Sequence, residues 1–397
     1  MDIKEIIDYT TNYTNPASQA IADDGVRVFF DNNEEWKKVV GFFIGGEDGE
    51  EIYGNALLVC SGCLYDSSLL SESTIQTLCQ AVQEYEPKAK YKLGIGYSIF
   101  LNLGLCWHEL GVEFDDRAVE AFKKYIFYSL AMSNHTAYRP VGYSFRRISD
   151  YLFDSLDRGE INLSAPATFN DVYDCPILEL LRTKGDDVSQ LINKAYRYTV
   201  KVACFVSNVM LPSMKHIDPE SGMPARILKP EGNTPEYLKD LMWGYYADGH
   251  QGVCLEYHFG RDMSHFPGEG QFRIAYFRDV RYSDELYDYD NKDSIDMNNA
   301  FFLKSKKWEQ ENELRYLSFD IDGNSDYQQV PASNMLSAVY FGAKCSQENQ
   351  DKVMDILNGK RWVEKDLRDK ETWHDIEFYK IEADDKAFGN LRAVRIK

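Results

Sequence analysis

The 397-residue chain reads as an α+β protein with two unlike parts, residues 1–132 and 133–397. Three observations lead there. Residues 72–132 follow a helical pattern, and near Ser133 this gives way to short strands alternating with helices. The length exceeds one typical domain and suits two or three. A composition of 44% hydrophobic and 27% charged residues is that of a chain that builds a core and not of a disordered one.

The elements follow in order. Residues 1–60 carry the strand-like runs GVRVFF and KKVVGFFIGG, with turns at DNNEE and GGEDGEE, and no role follows from them. STIQTLCQAVQEYE opens the helical stretch. Within NLGLCWHELGVEFDDRAVEAFKKYI (102–126), Leu103 and Gly104 let a first helix close on a second, and Gly111 ends the first. Ala118 and Phe122, four apart, form the inward face of the second. Beyond Ser133, YRPVG is expected to be a strand. FRRISDYLFDSLDRG is a helix with Ile148, Leu152 and Leu156 on one stripe and its end at Gly159, and EINLSA is the next strand. PATFNDVYD is a loop in which Asn170 and Asp171 suit an Asx turn. VSQLINKAYRYTVKVACFV (188–206) runs from helix into strand, and the Pro- and Gly-rich 212–235 is an irregular connection.

Charge and cysteine usage exclude several classes. Sixty-four acidic against 44 basic residues give −20, which argues against broad nucleic-acid binding through net charge but leaves a local basic groove open. No basic segment precedes an apolar run at the N-terminus, and apolar patches such as VVGFFIG (39–45) are too short to span a bilayer. Eight scattered cysteines fit reduced thiols better than a disulfide scaffold, so a cytoplasmic protein with no membrane segment is expected. Cys60 and Cys63 form a lone C-x-x-C without a second pair, and buried small hydrophobes explain them as well. His250, Cys254 and Cys204 lack zinc spacing, so no metal is expected. There is no G-x-G-x-x-G after a strand, no Walker A motif and no G-x-S-x-G elbow.

Two segments carry candidate chemistry. In WEQENELRYLSF (308–319), Glu311, Glu313, Arg315 and Leu317 alternate, so a strand there presents them on one face. Two readings stand: a carboxylate pair that stabilises developing positive charge, or a solvated strand with Glu313–Arg315 ion pairs. In MWGYYADGHQGVCLEYHFG (242–260), a short helix is expected to end near Asp248-Gly249, and a turn follows through His250-Gln251-Gly252. The strand VCLEYHF places Val253, Leu255 and Tyr257 on one side and Cys254, Glu256 and His258 on the other. Gly249 and Gly252 are expected to supply positive φ values. Tyr245 or Tyr246 is open for stacking, Trp243 fills core, and His250 either meets a ligand or caps the helix. The basic clusters Arg146-Arg147 and Lys304, Lys306, Lys307 suit either a polynucleotide or solvated faces.

Resemblances add to these readings. Residues 102–126 resemble a tetratricopeptide repeat, although the turn is about two residues longer than usual and Tyr125 replaces a small residue. Further on, a set of landmarks occurs in order: Tyr138-Arg139, Gly159-Glu160-Ile161, Pro166, Phe169-Asn170-Asp171, Asp174 and Cys204-Phe205 with Ser207. Met242-Trp243, Tyr246-Ala247, His250, Gly252, Glu256, Lys304, Trp308, Glu311, Glu313, Arg315 and VYFGAKCS (339–346) complete it. This set resembles the bacterial DUF2971 family over about 134–397, with FNDVYD standing where that family usually has FNDPFD or FNDPFE.

The order of a basic residue on a first strand, a middle Ser or Tyr and a late E-x-E is in turn similar to ADP-ribosyltransferases. That likeness implies a C-terminal split β-sandwich with helices and NAD as substrate. Tyr138, Arg139, Asn170, Ser207, Tyr246 and His250 would bind NAD, Glu313 would face the ribose, and Glu311 would polarise the nucleophile. It also implies transfer of ADP-ribose to an unknown acceptor, with the tetratricopeptide-like N-terminal part recognising a macromolecular target. A toxin or phage-defence effector would fit such an enzyme. The alternative is a non-catalytic ligand-sensing or protein-interaction module.

Overall fold

The computed structural model describes residues 70–85, 93–131, 141–169, 174–175, 187–207, 209–210, 227–228, 235–260, 263, 272–283, 301–365, 370–384 and 389–396, with scattered positions between 54 and 65. The strand-like runs of 1–60, Cys60, Cys63, Tyr138, Arg139, Asn170, Asp171 and most of 212–235 lie outside the described residues.

The chain is mixed α+β, helical first and sheet-rich afterwards. Helices α1 (Glu72–Tyr85), α2 (Leu93–Leu110) and α3 (Asp115–Ala131) open the described part. Gly111 and a 3-10 turn at Val112–Phe114 reverse the chain between α2 and α3. The two helices close as the sequence expects, with Ala118 and Phe122 fully buried. Gly104 permits that approach, because a Cβ there would lie 2.3 Å from the ring of Phe122.

Next come β1 (Val141–Arg146), α4 (Asp150–Arg158), β2 (Glu160–Ser164), α5 (Asp187–Thr199) and β3 (Val200–Ser207). Ser149 caps α4 by accepting the Leu152 N–H, and Gly159 ends it. Two short strands, β4 (Val209–Met210) and β5 (Ile227–Leu228), pair with each other. Then follow α6 (Asp240–Tyr246), β6 (Val253–His258), β7 (Arg273–Asp279), β8 (Arg281–Ser283), β9 (Leu303–Ser305) and β10 (Glu313–Asp320). The chain continues through β11 (Tyr327–Pro331), β12 (Leu336–Phe341), α7 (Gln347–Ile356), β13 (Arg361–Lys365), β14 (Glu371–Asp375), β15 (Glu377–Ala383) and β16 (Leu391–Arg395).

Ten strands form one sheet in the order β11-β2-β3-β1-β6-β12-β15-β16, with β10 joining β3 to β7. Strand β3 is the branch point. One edge pairs along its length with β10, from Glu313 opposite Val206 to Phe319 opposite Val200. The other edge is shared: β1 takes Val206 and Ser207, while β2 takes only Val202. Between those contacts β1 and β2 diverge, which leaves Cys204 exposed in a strand otherwise buried. The gap in the sheet is the origin of the cleft described below.

Three apolar clusters hold the fold. On one face, Val200, Val202, Leu317 and Phe319 join the core of α1–α3 and α5, and Phe127 of α3 meets Phe272 and Phe319 at 5.2 and 5.7 Å between ring centres. The helices up to Ala131 and the strands β3 and β10 thus share one core. On the opposite face, Ala203, Phe205, Leu314 and Tyr316 pack with Leu152 and Leu156 of α4 and Val353 of α7. A third cluster seats Trp243 and Met242 of α6 against Tyr143, Val206 and Cys254. Strand β6 alternates as read from sequence, with Val253, Leu255 and Tyr257 in the second cluster and Cys254 in the third. No described helix is long and apolar enough to cross a membrane.

Candidate functional site

Residues directly opposite in an antiparallel pair project to the same face. Glu313 and Arg315 of β10 lie opposite Val206 and Cys204, so they emerge where β1 and β2 part. They sit between the helical core and the α6 cluster, and neither face of β10 is solvated there: Glu313 through Phe319 are all buried. The reading of a solvated strand is therefore replaced by one of buried ion pairs.

Glu311 does not share the strand with Glu313, as the alternation had implied. It is the last residue of a 3-10 turn, Lys306–Glu311, and Asn312 with φ 47° swings the chain from that turn into β10. The two carboxylates still converge, because Lys304 of β9 bonds both, Nζ donating to Glu311 Oε2 at 2.7 Å and to Glu313 Oε2 at 3.0 Å. Arg315, fully buried, donates from Nε to Glu313 Oε1 at 2.7 Å and from one terminal nitrogen to both oxygens of Asp174 at 2.7 Å. Its other terminal nitrogen donates to the Phe301 carbonyl at 2.6 Å. The Tyr246 hydroxyl at the end of α6 donates to Glu311 Oε1 at 2.6 Å. Tyr282 accepts the Glu313 backbone N–H at 2.8 Å.

Three carboxylates thus meet one ammonium and one guanidinium, which leaves one formal negative charge at the floor. Burial alone would raise the Glu313 carboxyl, but Arg315 and Lys304 outweigh it and hold it down at about 2. Burial wins at Asp174, whose carboxyl is raised with Glu313 adding to the effect, against the pull of Arg315. Burial also disfavours charge on Lys304, yet Glu313, Asp174 and Glu311 together push its ammonium above the ordinary lysine value. The Tyr246 phenol is raised by burial and by its bond to Glu311, so it remains a donor.

Above this floor lies a cleft of about 620 Å³. Tyr143, Phe169, Tyr246 and Trp308 supply aromatic wall, Arg146 and Asn162 stand towards one end, and Cys204 opens onto the floor between Glu313 and the diverging strands. Lys304 Nζ lies 5.2 Å from the Trp308 ring, a cation–π contact that anchors the wall to the floor.

Of the residues singled out in sequence, Glu311, Glu313 and Tyr246 are brought together here. Tyr138, Arg139 and Asn170 lie outside the described residues. Ser207 does not line the cleft: it is fully buried, with its N–H donating to the Asn312 carbonyl at 2.8 Å, where it fixes the bend before β10. His250 is also off the cleft, since its ring stacks on Trp243 at 6.0 Å and its Nε2 lies 3.1 Å from Asp240 Oδ1 at the start of α6.

The turn that carries His250 departs from expectation in one detail. Positive φ falls on Asp248, Gly249 and His250, not on Gly252. Gly252 is required for space instead, because a Cβ there would lie 2.2 Å from the Arg146 carbonyl. Trp243 fills core as read, and Tyr245 stays exposed.

Sequence reasoning placed Lys304 in a basic cluster that suits a polynucleotide or a solvated face, yet its side chain is buried among carboxylates. Spacing relative to Trp308 and Glu311 was the available signal. The pairing of Arg315 with Glu313 was legible from their spacing, whereas Asp174 was visible only as a landmark, since its bond to Arg315 spans 141 residues.

Residues 242–316, from α6 into β10, match the family described as Protein of unknown function (DUF2971). That segment contains Tyr246, Tyr282, Phe301, Lys304, Trp308, Glu311, Glu313 and Arg315. No curated protein and no solved structure matches the chain.

Proposed function

We propose that the protein is an NAD-dependent enzyme like the ADP-ribosyltransferases, which cleaves the nicotinamide–ribose bond and transfers ADP-ribose to an acceptor. The observation that carries this reading is the surplus negative charge at the cleft floor, with Glu313 held ionised. Cleavage of that bond builds positive charge on the ribose C1′, and a fixed anionic group in a site shielded from water stabilises it. The cleft volume lies within the ~300–1,000 Å³ usual for small-molecule sites. Its aromatic walls suit a nicotinamide ring, and Arg146 suits one end of the diphosphate through its planar fork of donors.

In this reading Glu313 faces the ribose, and Tyr246 and Lys304 orient Glu311 for the incoming nucleophile. The parting of β1 and β2 on one edge of β3 supports a split sandwich of that superfamily. The α2–α3 hairpin, with Gly104 against Phe122, supports the tetratricopeptide-like reading and a role in target recognition. An intracellular setting belongs to the same proposal.

A second reading has one observation in its favour. Both oxygens of Glu313 are already bonded by Arg315 and Lys304, as they would be in a purely structural cluster beneath a ligand-sensing pocket. Incubation with NAD and chromatographic detection of nicotinamide separates the two. Release that depends on enzyme concentration supports the transferase, whereas NAD binding by calorimetry without release supports the sensor.

A further inference from the structure

The cleft does not end at Arg146. A groove of about 960 Å³ continues from it, and Phe145, Arg146, Asn162, Ser164 and Tyr246 line both. The groove carries Arg146 and Arg147 and, among its described lining residues, not one Asp or Glu. In a chain with 64 acidic and 44 basic residues, that local balance is reversed from the whole.

The groove is also lined by four tyrosines, of which only Tyr246 is tied to the cleft floor, through Glu311. Tyr245, Tyr327, Tyr151 and Tyr246 are 65%, 58%, 46% and 41% exposed, although each has a ring able to bury. They come from α6, β11 and α4, so three separate elements present phenol rings to one trough. Where groove and cleft meet, Asn162 Oδ1 is buried with no hydrogen-bond partner among the described residues.

From this placement we propose that the groove binds single-stranded nucleic acid, with phosphates on Arg146 and Arg147 and bases stacked on Tyr151, Tyr245 and Tyr327. Aromatic rings and cations lining one trough are what an unpaired strand requires, since every base offers a face to stack and every phosphate a charge. A duplex keeps its bases stacked on one another and presents no free face to the tyrosines. Asn162 and Gln329 add polar groups for base edges. The proposal goes beyond the NAD chemistry and stands without it, because strand binding needs neither NAD nor the carboxylate floor.

The test is fluorescence anisotropy with a labelled DNA strand of about 12 nucleotides, within the usual site size. NAD is left out, and the same sequence annealed as a duplex is the comparison. The single strand is expected to bind at least tenfold more tightly than the duplex. Contact by two arginines predicts a slope of log K against log salt of about −1.4, and Arg147→Gln reduces it by about 0.7. Tyr151→Ala and Tyr327→Ala each weaken binding about 5- to 150-fold, the range for loss of one stacked base. Both side chains are exposed, and unchanged melting curves show that the variants fold. Absence of binding at low salt, equal affinity for duplex and single strand, or tyrosine variants that bind as wild type would each overturn the proposal. None of these outcomes bears on nicotinamide release, which is measured separately.

Discussion

Replacing Arg315 by Met tests whether the buried cluster is organised as the geometry implies. Met keeps much of the length and removes the guanidinium that bonds Glu313, Asp174 and the Phe301 carbonyl. Both carboxylates then depend on Lys304, 3.0 Å from Glu313 Oε2 and 3.8 Å from Asp174 Oδ2. One of them must take up a proton to stay buried. Asp174 is that group, because burial and Glu313 already raise its carboxyl in the wild type.

Protonating a carboxyl of ordinary pKa near 4 at pH 7 costs about three units at about 1.4 kcal/mol each, or about 4 kcal/mol. Loss of one partner from a buried ion pair typically costs about 3–5 kcal/mol, in agreement. The sign with pH follows. In the variant Asp174 is protonated when folded and ionised when unfolded, so the penalty shrinks as pH falls, to about 1–2 kcal/mol at pH 5. Urea titrations of both proteins at pH 7 and pH 5 measure this directly. A loss under about 1 kcal/mol at pH 7, or a gap that does not narrow at pH 5, would refute the reasoning.

Three further outcomes are expected. In the wild type, Glu313 has its folded pKa lowered to about 2 from an ordinary 4.5, so its contribution is present above the higher value and is lost as pH falls through that window. Asp174 opposes this, but Glu313→Gln should flatten the acid limb of a stability–pH curve below the ordinary value, and an unchanged limb would count against the ion pairs. Gly252→Ala should destabilise by about 1–3 kcal/mol in thermal melts, because its Cβ meets the Arg146 backbone and the turn must move. Gly104→Ala gains about 1 kcal/mol of helix propensity but overpacks Phe122 by more, so a net loss of stability is expected and a rise in Tm would contradict the packing.

Much of this was legible locally. Ala118 and Phe122 four apart, the stop at Gly159 and the alternation of Val253, Leu255 and Tyr257 are short-range patterns that held, whereas the expected helix from Phe145 did not: β1 runs through Arg146 and α4 starts at Asp150, so Ile148 precedes the helix it was read into. The site was legible in its residue types and less so in its geometry. Strict alternation put Glu311 and Glu313 on one strand face, whereas the left-handed Asn312 breaks the strand between them. Lys304 suited a solvated face because its partners lie on a turn, a strand and a distant loop that only the fold assembles. The parting of β1 and β2, which makes the cleft, depends on which residues of β3 each strand pairs with. Nothing in a local window encodes that register.

The most direct test of the central claim is nicotinamide release from NAD by wild type and by Glu313→Gln, with NAD affinity measured on the same samples. The substitution keeps the shape of the side chain and removes the floor's one surplus negative charge. If that charge stabilises the ribose cation, release falls on the order of a hundredfold or more, as for loss of a comparable electrostatic group. NAD affinity changes little, because the lost interaction matters mainly in the transition state. Equal release by the two proteins, or no release by wild type that binds NAD, would contradict the account.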